Sequence, residues 1–430
     1  MNLLILTHEE KPVHHAYSWF INYLNHTYPH VHYNILPVSS NINLIPKHDR
    51  FLVLGAKAFS ELTSLTIHER FCGAPLFIRD VLGTTTYHPS EVHALDSEDS
   101  GDEYLGTRPE NYRFWILRDL WKLIELPYKR EKPIVHIYPR LQEAIDMVRS
   151  AKCLYLDIET DRAQELNCIG LSDGTEVFVV PVYNFKNELV YTDMAKLFVA
   201  LARFKGQVVC HNALFDLFIL AWRYKIPFST RNIYDTMVAH HRIFPEVEKS
   251  LGHAIRAWTW LHYHKDEGVY EPRNQDEEYR LYEYNAKDVF GMARVHEQIM
   301  KNSTPSVEQG VTSVYPYLIT MLRGMNVDEA LLLSKRCKLL RRAEVLTKIC
   351  RILSGIPKFN PCSSHQCADF FHNKLRYPVV RRTETGRPAL GQKELYQLAL
   401  KHDNPLIPVI IATREVSKAH SMLQIAPYEM

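Results

Sequence analysis

Short apolar runs alternating with polar segments over the first 300 residues give way to a helical pattern in the last third. Leu3 to Leu6 predicts a strand, Ala16 to Leu24 a helix, Arg50-Phe51-Leu52-Val53-Leu54-Gly55 a second strand, and Ala56 to Leu62 another helix. A further apolar stretch, Pro75 to Val81, leads to Gly83-Thr84-Thr85-Thr86-Tyr87-His88-Pro89-Ser90, and the acidic and small residues from Asp96 to Glu103 predict a solvated loop. Tyr128 to Pro139, punctuated by Pro127, Pro133 and Pro139, reads as a linker. Strands are then expected at 153–158, 166–172, 176–182 and 207–211, with helices between and after. From Asp328 to Leu353, Leu332, Leu339, Ala343, Leu346, Ile349 and Leu353 recur at mostly three- and four-residue steps, with Lys and Arg interleaved. That pattern predicts a helix with a strongly basic side.

The polar residues that interrupt these runs carry the candidate chemistry. In Cys153-Leu154-Tyr155-Leu156-Asp157-Ile158-Glu159-Thr160 the alternation of a strand puts Asp157 and Glu159 on one side and Ile158 on the other. Two carboxylates about 7 Å apart on one face repel unless a cation lies between them. A solvated strand end is the plainer reading of one such pair. Downstream, Gln207-Val208-Val209-Cys210-His211-Asn212 runs into a helical stretch, Ala213 to Leu220. Asn212 then falls at the N-cap, its side chain expected to satisfy a free N–H, with Asp216 one turn inside. In Glu283-Tyr284-Asn285-Ala286-Lys287-Asp288-Val289, part of a long helix, Tyr284 and Asp288 share a face.

Taken in order, Asp157-x-Glu159, Asn212 with Phe215-Asp216, and Tyr284-x-x-x-Asp288 resemble the three motifs of the DEDDy 3′→5′ exonucleases, which have a ribonuclease H-like fold. Tyr234-Asp235-Thr236-Met237 is similar to the segment between the second and third motifs of proofreading domains. The resemblance implies hydrolysis of 3′-terminal phosphodiesters with two divalent ions, Mg²⁺ or Mn²⁺, which suit a cluster of carboxylate oxygens. It implies that Asp157 bridges both ions, that Glu159 and Asp288 complete one site, and that Asp216 holds the other through water. Tyr284 would position the attacking water, and Thr160 and Asn212 would contact the DNA strand.

Composition narrows the class without naming it. With 430 residues, 46% apolar and 23% charged, the chain has the balance of a soluble globular protein of two or three domains. No apolar run predicts a membrane span, and the first residues lack a secretory signal's features, so a cytoplasmic location is expected. The eight scattered cysteines form no Cys-x-x-Cys pair and read as reduced thiols. The net charge of +2 conceals an asymmetry. From Lys301 onward 19 Lys and Arg face 10 Asp and Glu, which suggests phosphate contact there.

Two further resemblances flank the middle. Leu52-Val53-Leu54-Gly55-Ala56-Lys57-Ala58 with Thr86-Tyr87-His88-Pro89-Ser90 is similar to the uracil-DNA glycosylase superfamily, whose water-activating first motif is missing here. A degenerate module is expected. Met325-Asn326-Val327-Asp328, Phe359-Asn360-Pro361-Cys362-Ser363-Ser364-His365-Gln366 and Thr383-Glu384-Thr385-Gly386-Arg387-Pro388 resemble the thumb of family A DNA polymerases. Arg414 and Lys418 match basic residues that touch the primer strand. The fold expected is therefore α/β: a small glycosylase-like domain over 1–130, a ribonuclease H-like exonuclease domain over 134–302 and a mostly helical thumb-like region over 303–430. The resemblance implies a proofreading and thumb subunit of a split, phage-type polymerase. Palm and fingers would come from a second polypeptide, and DNA would be bound as a single-stranded 3′ end or primer–template. A stand-alone nuclease for RNA, similar to the ribonuclease D group, and a non-catalytic DNA-binding scaffold are the alternatives.

Overall fold

The computed structural model describes residues 1–8, 14–38, 42–65, 71–89, 109–226, 228, 231–262, 264, 267–269, 271–383 and 386–423. The acidic segment from Asp96 to Glu103, Ser90, and Glu384 with Thr385 lie outside the described residues. Two compact units divide the chain, Met1–Gly324 and Met325–Met430.

The first unit contains two sheets. In the N-terminal one, β1 (Asn2–Thr7), β2 (His32–Pro37), β3 (Arg50–Leu54), β4 (Leu76–Ile78) and β5 (Val81–Thr86) lie in the order β2-β1-β3-β5-β4. All neighbours are parallel except β4 with β5. The unbroken apolar runs of β1 and β3 follow from burial on both faces. Leu3 and Ile5 pack on Tyr17, Phe20 and Leu24 of the helix His14–Thr27, while Leu4 and Leu6 pack with Phe51, Val53 and Phe59. His88 is buried beyond β5. Its Nε2 lies 2.6 Å from the Tyr17 hydroxyl and 3.4 Å from Thr7 Oγ1.

The second sheet comprises β6 (Ile134–Ile137), β7 (Cys153–Thr160), β8 (Leu166–Ser172), β9 (Glu176–Pro181), β10 (Gln207–Cys210) and β11 (Ile233–Asp235), in the order β11-β10-β7-β8-β9-β6. β7, β8 and β9 form an antiparallel meander, and β10 and β11 extend it in parallel on the β7 side. This is the mixed sheet of a ribonuclease H-like fold. β6 corrects the linker reading. Pro133 and Pro139 bound the strand without interrupting it, and β6 sits at the sheet edge, where proline is tolerated.

Alternation along β7 supplies both cores of this region. Leu154, Leu156 and Ile158 join Leu197, Leu217 and Leu220 on one face, whereas Tyr155 joins Val209, Tyr282 and Val289 on the other. The helix Gln275–Lys301 lies over that second face. Its start is well determined: the Asn274 side chain accepts from Glu277 N, and Asp276, Glu277 and Glu278 occupy the positive end of the helix dipole. The helix Pro109–Glu125 ties the two sheets together. The wholly buried Lys122 donates its Nζ to the carbonyls of Gly73, Arg256 and Thr259, and Asp119 accepts from Arg256 Nη2 at 2.7 Å. Buried charges are tolerable only when paired in this way.

The second unit is helical: Glu329–Ser354, Ser364–Ala368 continuing as a π turn, Gln392–Lys401 and Leu406–Met422. Phe359, Phe370, Phe371, Leu395, Leu398, Ile407 and Ile410 form its core. Asp328 caps the long basic helix through Leu331 N, and Gly355 ends it in the left-handed conformation. The expected apolar stripe is only half-buried at Leu332, Leu339, Ala343 and Leu346. Ile349 and Leu353 are exposed, and Cys350 and Ser354 enter the core instead. All eight cysteines are free thiols.

Candidate active site

Strand alternation delivers Asp157 and Glu159 of β7 to the face covered by the helix Gln275–Lys301, and Asp288 of that helix meets them. One ligand oxygen from each of the three carboxylates lies within 4.8 Å of the others. Asp157 is paired with Gly170 of β8, and Glu159 with Cys168. Thr160 follows a register shift between Glu159 and Thr160 and is half-buried at the strand end.

A fourth carboxylate arrives from the helix Ala213–Trp222. β10 ends at Cys210, and Asp216 Oδ1 accepts the N–H of Ile158 in β7 at 3.0 Å. Burial, and next the charge of Asp157, hold the Asp216 carboxyl well above the usual carboxylate range, against the opposing pull of that N–H. Asp216 thus stands beside the three-carboxylate cluster, against the backbone between Asp157 and Glu159.

Asn212 occupies the N-cap of this helix, as its position in the sequence predicts, but its side chain makes no capping bond. Its backbone is left-handed, at φ 71°, a conformation asparagine tolerates. The capping is done across the sheet by Asp235 at the end of β11. Asp235 Oδ1 accepts from Asn212 N at 3.1 Å and Oδ2 from Ala213 N at 2.9 Å, and Oδ1 also accepts from Met237 N at 2.8 Å. One buried carboxylate therefore starts two helices. Burial pushes its pKa up, and these N–H donors work in the opposite direction. The Asn212 side chain is left exposed.

Tyr284 lies one turn before Asp288, buried and edge-on to the ring of His264, with ring centroids 5.8 Å apart. His264, on the segment between Trp258 and Gln275, places Nε2 2.7 Å from Asp288 Oδ1. Asn285, fully buried one position after Tyr284, donates Nδ2 to Asp157 Oδ2 at 2.8 Å. Neither His264 nor Asn285 stands out in the sequence. The only signal for Asn285 is a polar residue on the core side of an amphipathic helix, and His264 has none.

In the second unit Arg414 and Lys418 occupy the helix Leu406–Met422, four residues apart as expected, but they do not form a pair of exposed cations. Arg414 turns inward: Nε donates to Pro361 O at 2.8 Å and Nη1 to Leu390 O at 2.6 Å. Its guanidinium satisfies carbonyls that the irregular connections leave unpaired. Lys418 is exposed.

Carboxylate oxygens from three elements, with a fourth beside them, are a hard donor set suited to a divalent cation. No curated protein matches the chain. Among solved structures, a chain described as the apo form of the nuclease is similar at 15% identity and a TM-score of 0.34, over 44% of this chain and 90% of that one. Residues 134–303, which contain Asp157, Glu159, Asp216, Tyr284 and Asp288, match the family model described as 3′-5′ exonuclease, of the DNA polymerase A type.

Proposed function

We propose that this chain is a metal-dependent 3′→5′ exonuclease acting on DNA. The observation that carries the reading is the convergence of Asp157, Glu159 and Asp288, from a strand and a helix far apart in sequence, within 4.8 Å of one another. Asp216 beside them is held against ionisation by burial and by Asp157, the strain expected of a carboxylate cluster built to hold cations. Bound divalent ions would supply charge stabilisation at the attacking and leaving oxygens of the phosphodiester. In this reading Asp157, Glu159 and Asp288 would hold divalent ions, with Asp216 beside them as a further ligand. Tyr284 orients the attacking water, with Asn285 and His264 holding Asp157 and Asp288 in place. Thr160 and the exposed side chain of Asn212 contact the strand. Mg²⁺ and Mn²⁺ both fit such an oxygen set.

The N-terminal sheet serves as a scaffold in this account, because the His88 of its glycosylase-like loop is buried against Tyr17 and Thr7. The second unit acts as a polymerase thumb in this account. Comparison of DNA and RNA oligonucleotides of one sequence tests the substrate class. Preferential shortening of DNA from its 3′ end supports the reading. Preferential shortening of RNA would replace it with a ribonuclease.

A further inference from the structure

Away from the carboxylates, the first unit contains a cavity of about 720 Å³ between the end of the helix Pro109–Glu125, the residues that follow it, Trp258–His262, and the last turns of the helix Gln275–Lys301. Its lining combines aromatic rings with cations. Trp121 and Tyr128 are half-buried, and each has an aromatic or cationic group already fixing it: Arg118 lies 3.8 Å from the Trp121 ring, and Trp260 stands edge-on to Tyr128. Of the lining charges, Glu131 is bridged by Lys129 and Arg294, and Glu297 is also taken by Arg294. Arg130, Lys132 and Lys301 are exposed and have no ion-pair partner among the described residues, against one exposed carboxylate, Glu125, that likewise has none.

Three uncommitted cations beside partly open aromatic faces match the two features of single-stranded nucleic acid, a regular line of phosphates and stackable bases. A small metabolite would not need so long and open a lining, and an acidic peptide would not use the rings. Lys301 stands thirteen residues beyond Asp288 on the same helix, about 20 Å along its axis. We propose that this cavity is a second binding site, distinct from the carboxylate cluster, that holds an upstream segment of a single strand whose 3′ end lies at Asp157 and Asp288. The proposal rests on the exonuclease reading and adds to it a place where long substrates gain affinity.

The test uses the full chain carrying Asp157→Ala, in chelator, binding a labelled oligothymidylate over a range of salt concentrations. Adding Arg130→Ala, Lys132→Ala and Lys301→Ala should weaken binding at low salt at least ten-fold. It should also reduce the slope of log affinity against log salt by about 2, from about 0.7 per lost phosphate contact on a single strand. Unchanged affinity and slope would overturn the second site. So would binding of polyglutamate as tight as that of the oligothymidylate, because the site would then read charge alone. A trinucleotide, too short to span both sites, separates this outcome from failure of the exonuclease reading. With Asp157 intact and Mg²⁺ present, the triple variant should cut it at the wild-type rate. If wild type leaves both the trinucleotide and the long strand uncut, the underlying reading fails as well.

Discussion

Asn285 reaches Asp157 through the space that a glycine leaves open. Its Nδ2 lies 2.8 Å from Asp157 Oδ2, and the residue paired with Asp157 across the sheet is Gly170. A Cβ at Gly170 would fall 2.2 Å from Asn285 Oδ1 and 2.6 Å from Val289 Cγ2. Gly170→Ala must therefore push the helix Gln275–Lys301 off the sheet or turn Asn285 away. The expected cost is about 1–3 kcal/mol of stability, as for other overpacked interiors. Activity should fall more than stability alone explains, because Asp288 rides on the same helix. Denaturant unfolding and strand-shortening rates on the same preparations check both. A fully active, fully stable variant would refute the close packing.

His264 holds the other end of the cluster through Asp288. Residues that orient a metal-binding carboxylate typically contribute about 10- to 100-fold in affinity or activity. His264→Ala should weaken Mn²⁺ binding by that order, beyond the stability it loses in chelator when buried Asp288 gives up this partner. Calorimetric titration of Mn²⁺ reads the first and thermal melting in chelator the second.

Asp235 starts both the helix that carries Asp216 and the one beginning at Thr236, through at least three backbone N–H groups. Asp235→Ala leaves those donors buried and unpaired, at an expected cost of about 2 kcal/mol or more. Asn212→Ala should cost less, about 1 kcal/mol, since its side chain caps nothing and only its left-handed backbone penalises alanine. Urea unfolding of the two variants should rank them in that order.

Acid should act on the first unit through its buried histidines. Burial lowers His240 from 6.5 to about 3 and His296 to about 4. His240 is satisfied as the neutral ring, accepting from Trp258 Nε1 at 2.9 Å. Below pH 6.5 the unfolded chain binds protons at these positions that the native chain refuses. Stability present at neutral pH is therefore lost as the pH falls, by up to about 1.4 kcal/mol per pH unit for each histidine. Chelator-treated unfolding free energies at pH 7 and pH 5 should differ in that direction. A difference that persists unchanged in His296→Gln would contradict neutral burial of that ring, since Asp216 and Asp235, raised in the folded chain, contribute in the opposite direction.

The sequence carried those parts of the site that depend on local period. Asp157 and Glu159 share a face because strands alternate, and Tyr284 and Asp288 do because helices repeat every 3.6 residues. What it could not carry depends on which elements meet. Asn285 and His264 become partners of Asp157 and Asp288 only through tertiary packing, and Asp235 displaces Asn212 as the cap from a strand 23 residues downstream. β11 is three residues long, too short for periodicity to register, and the prolines around β6 mimic a linker. Arg414 shows the same limit in the second unit. Its spacing from Lys418 was legible, but its inward direction is set by carbonyls of distant connections.

The central claim is that Asp157 and its neighbours hydrolyse a strand from its 3′ end. A 5′-labelled single-stranded DNA incubated with Mg²⁺, wild type beside Asp157→Ala, tests it most directly. The account predicts stepwise shortening by wild type, abolished by the substitution and by chelator. Shortening that persists in a folded Asp157→Ala chain, or its absence from folded, metal-supplied wild type, would contradict it.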